Sequence, residues 1–368
     1  MLRYAFRERK GKRMRIGIPK EVKPLEGRVA LIPSAMGELV QAGHEVYIQA
    51  GAGVASGYPD SEYQAAGVRI VADAGELYGQ AQLVVKVKEP VATEYGLLRE
   101  DHLLFSFLHL AANPELAQAL KQKGLTALGF ETVTEKGRLP LLAPMSDIAG
   151  RLATQIGTTL LHQPQGGRGV LLGGLPAAER GKVVVLGCGT AGGNAAAVAA
   201  ALGAQVTVFG VHRANLSRMH QLGANVTALP SYEALRHEEV LTADLLIGAV
   251  LIAGARAPHL ISAETVRQMR PGSVIVDISV DQGGCIATTR PTDYTQPTFM
   301  YEGVVHFGVT NMPGAVPRTA SQALASAITP YVARLAQQDG LLDPVLQSGI
   351  NIRRGEIVHP AVAESLGR

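Results

Sequence analysis

The chain has 368 residues, 47% of them apolar, with 42 glycines, two cysteines and a formal net charge of +3. That length supports two domains that each bury a core, and the glycine content suits a compact α/β fold. Cys188 and Cys285 lie far apart and suggest no disulfide framework, so a reducing, cytoplasmic setting is expected.

Residues 1–13 stand apart, with six basic side chains and one acidic, a net +5 that leaves −2 for the rest of the chain. The segment has no apolar core and so is not a secretory signal. It reads as a disordered leader, with folded structure expected from Met14; a nucleic-acid or membrane-surface arm is the other reading of such a charge run. No segment reads as transmembrane. The run 183–212 is uncharged but broken by glycine, and 245–253 is too short to span a bilayer.

From Met14 the pattern alternates between short strands and helices. Residues 14–19 read as a first strand and 20–28 as a charged loop ending in Gly27-Arg28. Ser34 is placed to cap a helix that Gly43 closes near Ala42. Strands follow at 44–49 and 68–71, a helix at 73–79, and apolar strands at 83–88 and 103–110. A helix over 113–121 and a strand over 126–130 complete a first region with the periodicity of a parallel sheet. Residues 139–162 hold a long helix at which the chain is expected to cross into a second domain.

That domain opens on Val183-Val-Val-Leu-Gly187-Cys-Gly-Thr-Ala-Gly192, an apolar strand running into Gly-x-Gly-x-x-Gly. An Ala-rich helix from Asn194 ends at Gly203, and a β-branched strand follows at 205–209. Strand, glycine turn, helix and strand in about thirty residues make a dinucleotide-binding βαβ unit. Gly187 permits the tight turn, Gly189 the close approach of backbone to a pyrophosphate, and Gly192 the packing of helix on strand. Thr190 and Ala191 complete the phosphate-facing turn at the helix N-terminus. The acid that normally ends the second strand and binds ribose hydroxyls is absent. Its place is taken by Gly210, with His212 and Arg213 close behind. Beyond it, helices are expected at 216–222, 232–241 and 263–269, and strands at 224–228, 244–250, 273–279 and 304–308, the last closing the sheet. An Ala-rich helix from Pro317 to Leu335 leads back to the first domain.

Five polar residues sit where chemistry is plausible. Lys86 and Lys88, two apart on an apolar strand, share a face, and Lys88 either meets a substrate anion or snorkels to solvent. His109, in Phe105-Ser-Phe-Leu-His-Leu110, is either a satisfied core histidine or a proton donor at a strand end. Asp281, in Val276-Asp-Ile-Ser-Val-Asp281, is either a turn cap or a proton acceptor. Arg28 either clamps a carboxylate or is a solvated loop cation. No Gly-x-Ser-x-Gly elbow, no Gly-Lys-Ser/Thr phosphate loop and no Cys/His ligand spacing occurs, so no metal is expected.

The motifs Arg15-Ile-Gly-Ile-Pro-Lys-Glu21, Gly27-Arg-Val-Ala-Leu31, Val85-Lys-Val-Lys-Glu-Pro90 and Phe107-Leu-His-Leu-Ala-Ala112 resemble the alanine dehydrogenase / transhydrogenase alpha-subunit family. So do Leu142-Ala-Pro-Met-Ser146, Ile247-Gly-Ala-Val250, residues 276–284 and Asn311-Met-Pro313. The resemblance covers 14–365. The soluble NAD(H)-binding part of proton-translocating transhydrogenase is the related alternative, and the Phe-Leu-His-Leu motif with no membrane segment favours the dehydrogenase. A dinucleotide-binding sensor without turnover is the alternative from another class.

The resemblance implies a Rossmann dinucleotide-binding domain, 142–317, and a flavodoxin/Rossmann-like substrate domain, 14–141 with 318–368, completed by the C-terminal segment. It implies NAD-dependent interconversion of L-alanine with pyruvate and ammonium, in a homo-hexamer that engages no nucleic acid or membrane. By the same resemblance Arg28 and Lys88 hold the substrate, His109 is the catalytic imidazole and Asp281 the catalytic carboxylate. Ser146, Asn311 and Met312 lie around the nicotinamide end. The family carries Asp where this chain has Gly210, a departure that makes room for the 2′-phosphate of NADP beside Arg213 or His212.

Overall fold

The structure, a computed structural model, describes residues 13–252 and 256–367. The leader expected at 1–13 lies outside the described residues apart from Arg13, whose guanidinium pairs with Glu45 at 3.1 Å. The chain first lays down β1 (Arg15–Ile18), β2 (Glu45–Gln49), β3 (Arg69–Val71), β4 (Leu83–Val85), β5 (Leu103–Ser106) and β6 (Thr126–Gly129). It then forms β7 (Lys182–Leu186), β8 (Gln205–Gly210), β9 (Val226–Pro230), β10 (Leu245–Gly248), β11 (Val274–Asp277), β12 (Thr298–Tyr301) and β13 (Val304–Phe307). The last strands are β14 (Ile350–Arg353) and β15 (Glu356–Ile357).

These strands build two sheets in two compact units, residues 1–145 with 314–368 and residues 146–313. In the first unit the order is β15-β14-β6-β5-β4-β1-β2-β3. Strands β1 to β6 pair in parallel, and the helices between them cover the sheet, as crossover connections require. The core strands are apolar on both faces: Ile16, Ile18, Val84, Val85, Leu104 and Phe105 are fully buried. The sheet is not purely parallel, however. The C-terminal hairpin β14–β15 adds to β6 in antiparallel sense, tied down by the Gly129 N–H donating to Gly349 O at 2.8 Å.

In the second unit the order is β12-β13-β11-β10-β7-β8-β9, with six parallel strands. The sheet does not end at β13: β12 pairs with it in antiparallel sense and forms the edge. This is a doubly wound Rossmann-type arrangement, with the order reversing beside β7. Among the described residues, no helix is long and apolar enough to cross a membrane.

Several local expectations change. The helix placed at 34–42 spans Pro33–Gln41 and is entered from Ile32, with no side-chain cap; Pro33 at the first helical position starts it, and Ser34 lies inside the first turn. The helix after the glycine turn begins at Thr190, four residues before the expected start at Asn194, because the turn delivers its backbone directly into helical geometry. The strand carrying the two lysines stops at Val85, so Lys86 and Lys88 lie beyond it and do not share a strand face.

Candidate functional site

In the first unit, four acids fix the basic side chains. Arg28 is not a solvated loop cation: it is 2% exposed and donates Nε and Nη2 to Glu26 at 2.7 and 2.6 Å, a bidentate fork. The long helix Pro317–Leu335 fastens its loop, through the Val29 N–H donating to Ser321 Oγ at 2.9 Å. Lys88 lies within 3.5 Å of Glu89, which also pairs with Lys23. Burial pushes the Glu89 carboxyl up, but Lys88, Lys23 and His109 outweigh it and hold the group down to about 2. Lys88 is thus a largely buried cation fixed by an ionised neighbour, which is more than snorkelling requires.

Lys86 is the structural member of the pair. Its ammonium, 1% exposed, donates to both oxygens of Glu94 at 2.7 Å, while Glu21 stands at 3.8 Å. Because Glu94 neutralises Lys86 first, Glu21 is left as a further buried charge. Its Oε1 accepts from the Val87 N–H at 2.6 Å and from the Lys88 N–H at 3.4 Å, and its Oε2 has no hydrogen bond among the described residues. Burial raises the Glu21 carboxyl from 4.5 to about 7 despite the pull of Lys86. The folded chain therefore holds a proton that the unfolded chain releases above pH 4.5, and stability drains away between 4.5 and 7. Relative to Glu21→Gln, which keeps the acceptor oxygen, the wild type should match at pH 4 and lose about 3 kcal/mol by pH 8. Denaturant unfolding across that range measures it, and a pH-independent difference would count against the reading.

His109 is not at the end of a strand. Strand β5 stops at Ser106, and His109 has φ +47° and ψ +40°, a left-handed conformation costly for a side-chain-bearing residue. Glu131 holds it there: its carboxylate accepts from the His109 N–H at 2.7 Å and from the Leu108 N–H at 3.2 Å. The imidazole stacks on Phe107 at 5.8 Å with 5° between planes. The ring is half-buried and oriented, unlike a core histidine packed on all sides.

In the second unit, the glycine turn separates by packing. Gly187 has φ +105°, and a Cβ there would lie 2.3 Å from Ala249 O; one on Gly192 would lie 1.9 Å from Gly187 O. A Cβ on Gly189 would meet nothing within 4 Å. Two glycines are thus required by close backbone packing, and the third borders open space at the helix N-terminus, where Thr190 and Ala191 form the first turn. The turn is a cradle suited to a pyrophosphate. The helix Ala143–Leu160, which carries Ser146, runs against it: a Cβ on Gly150 would lie 2.1 Å from Ala191 O, and Asp147 accepts from Asn194 Nδ2 at 2.7 Å. Ser146 is four residues before Gly150 and so lies on that same helix face.

Asp281 lies in the 3₁₀ turn Ile278–Gln282, and it is not the cap of that turn. The cap is Asp277, 1% exposed, whose carboxylate accepts from the N–H groups of Ser279 (3.0 Å) and Cys285 (2.9 Å) and from Thr289 Oγ1 (2.8 Å). Asp281 is exposed, and its Oδ2 accepts from the N–H of Asn311 at 3.4 Å. Asn311 has φ +62°, and the carbonyl of the buried Met312 accepts from Tyr294 OH at 2.9 Å. Gly210 ends β8, and Arg213 is exposed at the start of the helix Arg213–His220. Among the described residues no group of three or more His, Cys, Asp or Glu could hold a metal.

A mainly parallel sheet with a glycine-rich turn at its switch point, in a chain whose other unit holds buried, paired cations, has the makings of a Rossmann-type dehydrogenase. The alanine dehydrogenase/PNT N-terminal domain model matches residues 17–149, and the C-terminal domain model matches 153–360. The chain belongs to the alanine dehydrogenase/PNT family. It is 46% identical over 360 residues to alanine dehydrogenase of Bacillus subtilis, covering 96% of this chain and 95% of that one. It is 47% identical over 363 residues to alanine dehydrogenase of Mycobacterium tuberculosis, covering 96% and 97%. A solved L-alanine dehydrogenase superposes with a TM-score of 0.91 at 51% identity, covering 96% and 99%. A transhydrogenase from Sinorhizobium meliloti superposes with a TM-score of 0.81 at 28% identity, covering 94% and 99%.

Proposed function

We propose that the chain catalyses the reversible oxidative deamination of L-alanine: alanine, oxidised nicotinamide dinucleotide and water give pyruvate, ammonium, reduced dinucleotide and a proton. The observation that carries this reading is near-full-length similarity, at 46–47% identity, to alanine dehydrogenases. The fit of Arg28, Lys88, His109 and Asp281 to the chemistry supports it.

The dinucleotide, when bound, supplies a hydride acceptor or donor, and the cradle of Gly187, Gly189, Thr190, Ala191 and Gly192 suits its pyrophosphate; Ser146, Asn311 and Met312 would line the nicotinamide end. Arg28, already locked by Glu26, takes the substrate carboxylate with little side-chain entropy left to lose. Lys88 takes the C2 oxygen or the carboxylate and fixes C2 for hydride transfer, where positioning yields much of the rate. In the aminating direction ammonia adds to pyruvate, and the developing alkoxide takes its proton from the His109 imidazole. Loss of water leaves an imine, and Asp281 exchanges protons with the amine or the departing hydroxyl. We further propose a homo-hexamer of cytoplasmic location, on the family resemblance alone.

Purified protein should oxidise reduced dinucleotide only when pyruvate and ammonium are both present. Dinucleotide binding with no such turnover would leave the sensor reading instead. On coenzyme, the absence of an acid at position 210 supports a weakened preference for NAD, with NADP admitted.

A further inference from the structure

The segment from Arg180 to Tyr232 contains the glycine turn, its helix, β8 and the next helix, yet it has no Asp or Glu. Its charges are Arg180, Lys182, Arg213 and Arg218, with His212 and His220 beside them. Arg213 and Arg218 form no ion pair among the described residues. A dinucleotide-binding unit ordinarily ends its second strand in an acid that receives ribose hydroxyls and repels a 2′-phosphate. That end is here uniformly cationic or neutral.

Glycine at position 210 is not demanded by the backbone, because its φ lies outside the left-handed region. It is demanded by a neighbour. A Cβ at 210 would lie 2.1 Å from Cys188 Sγ and 3.1 Å from Leu216 Cδ2. Cys188 is the residue between the first two glycines of the turn and is 5% exposed. Strand pairing sets the two side by side: Leu186 is in register with Phe209, and the Gly187 N–H donates to Phe209 O at 2.9 Å. The thiol sits by the N–H groups of Val211 and His212, in the field of Arg218. The sulfur thus fills the space from which an acid at 210 would begin.

We propose that Cys188 is a specificity-determining residue: by occupying the end of β8 it excludes any side chain at position 210, and so leaves the ribose side of the site open to a 2′-phosphate met by Arg213. This rests on the reading of the chain as a nicotinamide-dependent dehydrogenase. Coenzyme choice is then a property of the pair Cys188 and Gly210, and not of position 210 alone. An acid placed at 210 alone has to displace the Cys188 sulfur.

The test compares wild type, Cys188→Ala, Gly210→Asp and Cys188→Ala/Gly210→Asp. It measures kcat/KM for NADH and NADPH with pyruvate and ammonium, dinucleotide affinity by fluorescence titration, and Tm. Wild type and Cys188→Ala should both use NADPH within about tenfold of NADH or better. Gly210→Asp alone should lower affinity for both coenzymes at least about tenfold and lower Tm. The double variant should recover NADH and shift the NADPH/NADH ratio about 100-fold towards NADH, the loss of one phosphate contact and the gain of a repulsion. Arg213→Ala should weaken NADPH alone. A Gly210→Asp variant of normal Tm whose ratio matches the double variant overturns the proposal, as does strict NADH use by the wild type. If no variant turns over pyruvate, the activity reading fails, while affinities and Tm still report the coupling.

Discussion

Replacing His109 by alanine should lower kcat by about 10²–10⁴-fold, the range for removing a positioned proton donor, with dinucleotide affinity unchanged. The imidazole belongs to the first unit and the dinucleotide cradle to the second, so the two readouts separate. Its position is maintained at a cost: a left-handed backbone at a residue with a side chain stores about 1–3 kcal/mol. The Glu131 carboxylate offsets that cost by taking two successive backbone N–H groups. Glu131→Ala should therefore lower kcat as well, by less than His109→Ala. Near-normal steady-state turnover by His109→Ala would remove the imidazole from the reaction.

Lys86→Met should destabilise the first unit strongly, raising the free energy of the folded state by about 3–5 kcal/mol. The substitution keeps the aliphatic stem but strands Glu94 in a site where the carboxylate is 5% exposed. Tyr78 OH and the Val91 N–H remain as donors to Glu94, at 3.0 Å each, and neither carries a charge. Lys86→Met/Glu94→Gln should recover a large part of the loss, since removing both charges also removes the desolvation cost that one of them would bear alone. Urea unfolding, followed separately for each unit, distinguishes the outcomes. A loss below about 1 kcal/mol would mean that water reaches the cluster and screens it.

Much of the second unit was legible because its information is local. Strand β7, the glycine turn, the helix and β8 are consecutive, and Gly187 and Gly192 answer to backbone contacts within the unit. The hairpin β14–β15 was not legible: its strands are four and two residues long, and the partner that stabilises them, β6, lies more than two hundred residues earlier. The same distinction runs through the candidate site residues. Lys88, His109, Arg28 and Asp281 were visible as polar residues in apolar or loop surroundings. The acids that position them were not, since an exposed Glu and one buried against a distant amide look alike in sequence. Glu131 meets His109 across 22 residues and Glu21 meets Val87 across 66. Glu26 is only two residues from Arg28, but its fork depends on burial that composition does not reveal. Asp277 took the capping role weighed for Asp281 because a carboxylate at the strand end reaches several amides of the following turn at once.

The hairpin β14–β15 also has a consequence for synthesis. Residues 146–313 are contiguous, so once the ribosome has released them that unit has every strand of its sheet and can close. The first six strands of the other sheet emerge earlier but wait, with the edge of β6 unpaired, until 350–357 appear. An open edge next to apolar strands is the species that aggregates. The first unit to be started is therefore the last to be finished, and the interval of exposure is set by the time needed to translate everything between β6 and β14.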